Sequence, residues 1–292
     1  MMQLYDAQIQ RVRALLGGLP AKTYAYDESK AWPENADFQM IFQKDVAYEL
    51  GAGKSTSANL TCVTDNLELF QAVPGLPGGL AQGEEQGQLE NVARVKSQIL
   101  VYGRDLQEIQ GDVSYARICE VLVKSEESLP TKAEQGVEAD DDPSDSGRTL
   151  KLLQDIDFVK FHVYGKGFMM RTSGQSAKEQ VRVSKKALQD GITFERMGDT
   201  LISHYKKNPS VLAARVSFVT AEEFDYASLQ KEAGMAVEIR NSLSKIQKGL
   251  PTECAVCDIR EICNEVEGLR ELHFGKKERA GKTPADSKKV IF

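Results

Sequence analysis

From Leu229 to Leu250 the chain sets Leu229, Ala233, Ala236, Ile239, Leu243, Ile246 and Leu250 three or four residues apart. That is the period of one face of an α-helix, and Gly249 and Pro251 punctuate its end. So long an apolar stripe demands a broad apolar surface to lie on. The segments before it can supply one. Residues 98–102 and 115–123 read as strands, the second with Ala116, Ile118 and Leu122 on one face. Further strands are predicted over 158–164, 179–183 and 215–220. The fourth of these five, 179–183, runs into Ser184, a good N-cap for a helix over 185–190 that Gly191 closes. Helices are also predicted over 4–16, as a half-turn at 150–154, and over 194–207, where Met197, Leu201, Ile202 and Tyr205 share a face. Strands interleaved with helices predict an α+β fold: a mixed sheet or sheets covered by helices, ending in a cysteine-bearing hairpin.

With 292 residues, 41 % hydrophobic and 27 % charged, the chain can bury a real core. Its net charge of −6 makes a nucleic-acid backbone a poor partner. No apolar run approaches a membrane span, and Met1-Met2-Gln3-Leu4-Tyr5-Asp6 does not read as a signal peptide, so a cytoplasmic location is expected.

Three units are predicted: an N-terminal helix and aromatic arm over 1–40, a middle domain over 41–250, and a cysteine motif with a basic tail over 251–292. The arm carries Tyr24, Tyr26 and the single tryptophan, Trp32, between Pro20 and Pro33. Aromatics in such an extended segment are expected to pin it to the body. Residues 71–91 and 134–147 read as surface loops, the second acidic around Asp140-Asp141-Asp142. Gly51-Ala52-Gly53-Lys54-Ser55-Thr56 is not a phosphate loop, because Tyr48 stands where its first glycine belongs.

Three of five cysteines fall within ten residues: Cys254, Cys257 and Cys263, spaced C-x2-C-x5-C. A C-x2-C turn brings two thiolates to one ion or cluster edge, and a thiolate five residues on can close the same face. Thiolates are soft ligands, which points to zinc or an iron–sulfur cluster. The fourth ligand is open between His273, giving a Cys3His zinc site, and the distant Cys62 or Cys119, giving a four-cysteine cluster. Cys119 lies within a predicted strand, where a thiol packs as a small apolar group. Cys62, in Asn59-Leu60-Thr61-Cys62-Val63-Thr64, reads as a strand end or loop and is the preferred remote ligand.

Little else could carry chemistry. The three histidines, His162, His204 and His273, are too few for a multi-histidine site, and no serine sits in a G-x-S-x-G elbow. Glycine-bearing turns flank Met169-Met170-Arg171, and Lys166, Arg171 and Arg182 could hold a small anionic ligand there.

Several segments resemble the carbon monoxide dehydrogenase/acetyl-CoA synthase beta-subunit family. They are Phe158-Val159-Lys160-Phe161, Tyr164-Gly165-Lys166-Gly167, Arg182-Val183-Ser184-Lys185-Lys186-Ala187, Gly191-Ile192-Thr193-Phe194 and Gly198-Asp199-Thr200-Leu201. Ala47-Tyr48-Glu49-Leu50 and Val101-Tyr102-Gly103-Arg104-Asp105-Leu106 extend the likeness upstream, over roughly residues 40–263. In that family the middle domain contributes docking and coenzyme A contact. It leads into a domain where four cysteines hold a [4Fe–4S] cube and a Cys-Gly-Cys motif holds nickel. Cys254 and Cys257 match the opening pair, and Cys263 matches the third cysteine at a shorter spacing. No Cys-Gly-Cys occurs in this chain, so nickel is not expected. The resemblance implies an iron–sulfur protein that is not active alone: an accessory, docking or electron-relay partner for subunits of a CO dehydrogenase/acetyl-CoA synthase-like or corrinoid methyltransferase system. The competing expectation is a zinc staple with no redox role.

Overall fold

The computed structural model describes residues 2–32, 57–72, 95–108, 115–125, 145–159, 168–171, 180–183, 191, 193–251 and 253–274. In chain order the strands are β1 (Ala21–Ala25), β2 (Ser57–Thr64), β3 (Gln98–Tyr102), β4 (Tyr115–Val123), β5 (Phe168–Arg171), β6 (Gln180–Val183) and β7 (Val211–Val219). The α-helices are α1 (Asp6–Leu16), α2 (Leu67–Gln71), α3 (Asp145–Phe158), α4 (Phe194–Lys206), α5 (Tyr226–Lys248), α6 (Arg260–Glu265) and α7 (Leu269–Phe274). The fold is α+β, with a five-stranded sheet in the order β1-β3-β7-β4-β2. It is mixed: β1–β3 and β4–β7 run antiparallel, β3–β7 and β2–β4 parallel.

Alternation explains what each face of the sheet meets. On one face, Phe218 of β7 stacks on Phe194 of α4 with ring centroids 4.7 Å apart, and Tyr115 of β4 lies 6.0 Å from Phe194. α4 begins where the Thr193 hydroxyl accepts the Arg196 N–H, an N-cap. Gly198 lets this helix lie close on β3: a Cβ there would stand 2.5 Å from the Ile99 side chain. The helix α5 packs on β2, α3, α1 and α7 and buries Leu229, Ala233, Ala236, Ile239, Leu243 and Ile246. Each fully buried Leu or Ile on that stripe contributes roughly 1.5–3 kcal/mol. Asp225 caps its start by accepting from the Ser228 N–H at 3.0 Å, and Gly249, at φ 92°, ends it.

The aromatic arm is pinned as expected. Asp27 and Trp32 donate backbone N–H groups to the Asp199 carboxylate (2.9 Å) and the Thr200 hydroxyl (3.1 Å) of α4. The Arg196 guanidinium stands 5.2 Å from the Trp32 ring centre, and the Lys206 ammonium 5.0 Å from that of Tyr26. Part of the segment is β1, an edge strand of the main sheet.

Other expectations are corrected. Phe158 does not open a strand; it ends the 14-residue helix α3, which the half-turn at 150–154 understated. Thr149, Leu150, Leu153 and Ile156 are its buried stripe, and it begins at Asp145, inside the loop expected over 134–147. β7 starts at Val211, four residues before the strand predicted from 215. Met169-Met170-Arg171, for which no element was predicted, lies in a strand paired with β6, and the glycines of its two expected flanking turns lie outside the described residues. The expected strand beyond Val159, the helix over 185–190, the Gly51–Thr56 stretch and most of both loops lie outside the described residues.

Candidate metal centre

The chain leaves α5 at Gly249, passes the exposed Pro251 and enters a 3-10 turn at Cys254–Val256. The Cys257 N–H points back to the Cys254 carbonyl at 3.5 Å, closing the C-x2-C segment into a turn. The Arg260 N–H donates to the Cys257 carbonyl (3.2 Å), and the Cys263 N–H to the Ile259 carbonyl (2.9 Å), which carries Cys263 into α6. Gly268, at φ 91°, then turns the chain into α7. Ile259, Val266 and Leu269 are buried and hold this hairpin on the core. α6 and α7 both pack against α5, and Arg11 of α1 feels the charge of Glu265, so the hairpin folds back along α5 toward α1.

Within the hairpin Cys254 is exposed, while Cys257 and Cys263 are half-buried. Burial raises the Cys263 thiol above its ordinary pKa; the Arg270 charge opposes this, and Cys254 and Cys257 add to it. Among the described residues no three His, Cys, Asp or Glu side chains are already gathered as a metal site. The donor set itself, three soft thiols on one exposed turn and helix, suits zinc or an iron–sulfur cluster.

The other two cysteines sit elsewhere. Cys62 is in the middle of β2 rather than at a strand end, 1 % exposed, with its thiol 3.5 Å from the Gln8 side-chain oxygen. Gln8 is itself buried and donates to the Glu232 carbonyl of α5, so α1 and α5 close over the thiol. Burial pushes the Cys62 thiol well above its usual pKa, with Glu120, Glu232 and Cys119 adding to it and Arg240 opposing. Cys119 lies in β4 as expected, 1 % exposed, its thiol proton also held by burial. Since Thr61 pairs with Cys119 and Cys62 with Glu120, the two thiols are on opposite faces of the sheet. His273, the remaining candidate ligand, is half-buried on α7 with its ring centre 4.4 Å from that of Phe274.

For the proposed anion site, register sets Arg171 opposite Gln180 and Arg182 opposite Met169 in the β5–β6 ribbon. Lys166 lies outside the described residues.

One charged constellation was not anticipated. Glu120 of β4 and Arg215 of β7 are register partners, each side chain 3 % exposed, with Arg215 Nη1 3.1 Å from Glu120 Oε2. Arg13 of α1 donates to the same oxygen at 2.5 Å. The two guanidiniums also donate to carbonyls at the end of α2: Arg13 to Leu69, and Arg215 to Phe70 (2.7 Å) and Ala72 (3.2 Å). Two cations thus share one carboxylate and the negative end of a short helix. Tyr102 lies within reach of these charges, and burial pushes its hydroxyl up to about 12. The available signal was a charge in the middle of two apolar strands, YARICEVLV and VLAARVSFV.

Between α3 and α5 a groove of about 400 Å³ is lined by Leu150, Phe158 and the Asp157–Arg240 ion pair (3.7 Å), among others. No helix among the described residues is long and apolar enough to cross a membrane. No protein-family model and no curated protein matches the chain.

Proposed function

We propose that the chain is a metal–thiolate protein in which Cys254, Cys257 and Cys263 hold one [4Fe–4S] cluster. The observation that carries this reading is the division of the cysteines: two sealed in the sheet, three within ten residues of one another on a surface hairpin. A cluster at the surface suits electron relay or docking rather than self-contained catalysis, because a partner can approach it. With the family resemblance, the reading becomes an accessory subunit of a cytoplasmic CO dehydrogenase/acetyl-CoA synthase-like system, with no nickel of its own. Metal and sulfide analysis of anaerobically purified protein tests it: iron with inorganic sulfide supports the cluster, and a metal-free protein that takes up none on reconstitution sinks it.

The zinc staple keeps one specific support. α6 and α7 are six residues each, below the length at which a helix holds by itself, so a metal cross-link would stabilise the hairpin. Stoichiometric zinc without sulfide would select that reading.

A further inference from the structure

We propose that Cys254 and Cys257 form a reversible disulfide across the turn that carries them, made by exchange with a small disulfide arriving from solvent, with Cys263 outside the pair. This goes beyond the cluster reading and does not rest on it. The disulfide uses two of the thiols that a metal would take, so the two states exclude each other.

The turn sets the spacing of the pair. Two successive bonds form it, from the Val256 N–H to the Glu253 carbonyl (3.3 Å) and from the Cys257 N–H to the Cys254 carbonyl (3.5 Å). In a 3-10 turn the chain rises about 2 Å per residue, and side chains three apart eclipse. Cys257 keeps a near-helical φ of −86° before its ψ of 125° turns the chain away, so its side chain still follows that rule. The Cα atoms of Cys254 and Cys257 therefore lie about 6 Å apart with both side chains on one side of the turn, the separation that a disulfide spans. Cys263 has no such tie. It belongs to α6, where its N–H is bonded to the Ile259 carbonyl at 2.9 Å.

Access divides the pair into an attacking and a resolving thiol. Cys254 is exposed, as are Glu253, Ala255 and Val256, whereas Cys257 is half-buried and packs on the core. The sulfur of Cys254 bonds to one sulfur of the incoming disulfide, whose S–S bond breaks and releases a thiol. The sulfur of Cys257 then attacks that of Cys254 and expels the second thiol. Both cysteine protons leave on the released thiols, and two electrons pass from the protein to the reagent. The second step is intramolecular, so it outruns attack by another reagent molecule. A disulfide this exposed is readily reduced again, which makes the pair reversible.

Trypsin separates the possible pairings, because residues 249–260 carry Cys254 and Cys257 while residues 261–270 carry Cys263 alone. The full-length protein, reduced, stripped of metal by a chelator and kept anaerobic, is mixed with 2-hydroxyethyl disulfide. It is then freed of reagent in acid, alkylated in urea, digested and weighed by mass spectrometry. The peptide 249–260 should be two hydrogens lighter than its reduced form and carry no alkyl group, with Cys62, Cys119 and Cys263 alkylated. Cys257→Ser should stop Cys254 at the mixed disulfide with the reagent. Buffers of the reagent with 2-mercaptoethanol then give the equilibrium position. The closed pair should be favoured by about tenfold or more in the folded chain over the same chain in urea, ~30 mV for a two-electron couple. The proposal is overturned if the peptide carries two mixed disulfides or is cross-linked to Cys263. It is equally overturned if both thiols of the folded chain stay reduced, or if folding leaves the equilibrium unmoved. Iron, zinc and sulfide are measured on the untreated protein and bear on the cluster reading alone.

Discussion

In the sheet, Glu120 meets two guanidiniums in a space closed to water, and Cys62 and Cys119 lie within the same packed core. In the C-terminal hairpin, charged side chains stand in solvent and Cys254 is open beside them. The two regions use overlapping residue types under opposite conditions. Within the core a charge persists only with a partner and a thiol keeps its proton, so both become structural. On the hairpin the charges stand in water and burial holds the proton of Cys263 alone, so the exposed Cys254 remains available to a metal or a reagent. Chemistry in this protein is expected where packing is thinnest.

The sharpest way to break that contrast is to remove the shared counter-ion. Glu120→Ala leaves Arg13 and Arg215 buried together without their carboxylate, and should cost about 3–5 kcal/mol. Chemical denaturation measures it; a loss below 1 kcal/mol would mean that water reaches the cluster.

Packing between sheet and helix gives the next largest effect. Gly198→Ala drives a methyl into Ile99 and should lower stability by about 1–3 kcal/mol. Adding Ile99→Ala, which removes both γ-carbons that the new methyl would meet, should make the double variant less destabilised than the sum of the two changes, and strict additivity would contradict the contact.

Asp199 offers a smaller test with a pH signature. Asp199→Ala removes the acceptor of the Asp27 N–H and should cost on the order of 1 kcal/mol. The change should also alter the fluorescence of Trp32, whose backbone hangs on the neighbouring Thr200. Burial raises the Asp199 pKa above its ordinary 3.8, so the fold favours the protonated form. Its contribution is fully present below the unfolded value and is lost as pH rises through the folded one. Asp199→Asn should flatten that dependence in denaturation curves collected across the acidic range; an unchanged slope would show that another group sets it.

The smallest stability effect belongs to the hairpin. Without metal, Cys254→Ser should change stability by no more than about 0.5 kcal/mol, because Cys254 packs on little. Thiol labelling of the folded protein should modify Cys254 first and Cys263 more slowly, since burial holds the Cys263 proton. Cys62 and Cys119 should react only on unfolding. Fast labelling of Cys62 would undo the comparison between the two regions.

How much of this was legible depended on how local the cause is. The stripe on α5, the extent of α4 and the bounds of β3 and β4 follow from spacing and alternation, which act over a few residues. The three-cysteine spacing is equally local, and the hairpin that carries it was anticipated. Cys62 was misplaced because a strand whose apolar residues are few looks like a loop until a neighbour pairs with it; β2 gains its form from β4. α3 was underestimated because its buried positions, Thr149, Leu150, Leu153 and Ile156, include a polar one that only packing turns inward.

By itself, then, the chain's order of residues determined which segments could be helix or strand, that they would form a mixed α+β sheet structure, and that three thiols would fall on one turn and the helix after it. Only the tertiary structure decided that β1 is an edge of the main sheet, that Cys62 and Cys119 are sealed on its opposite faces, and that Arg13, Glu120 and Arg215 meet. The reason is separation: Arg13 and Glu120 are 107 residues apart and Glu120 and Arg215 95 apart, and no local rule reaches that far. What joins them is the requirement that a buried charge find a partner, which operates only once the sheet and α1 have closed around it.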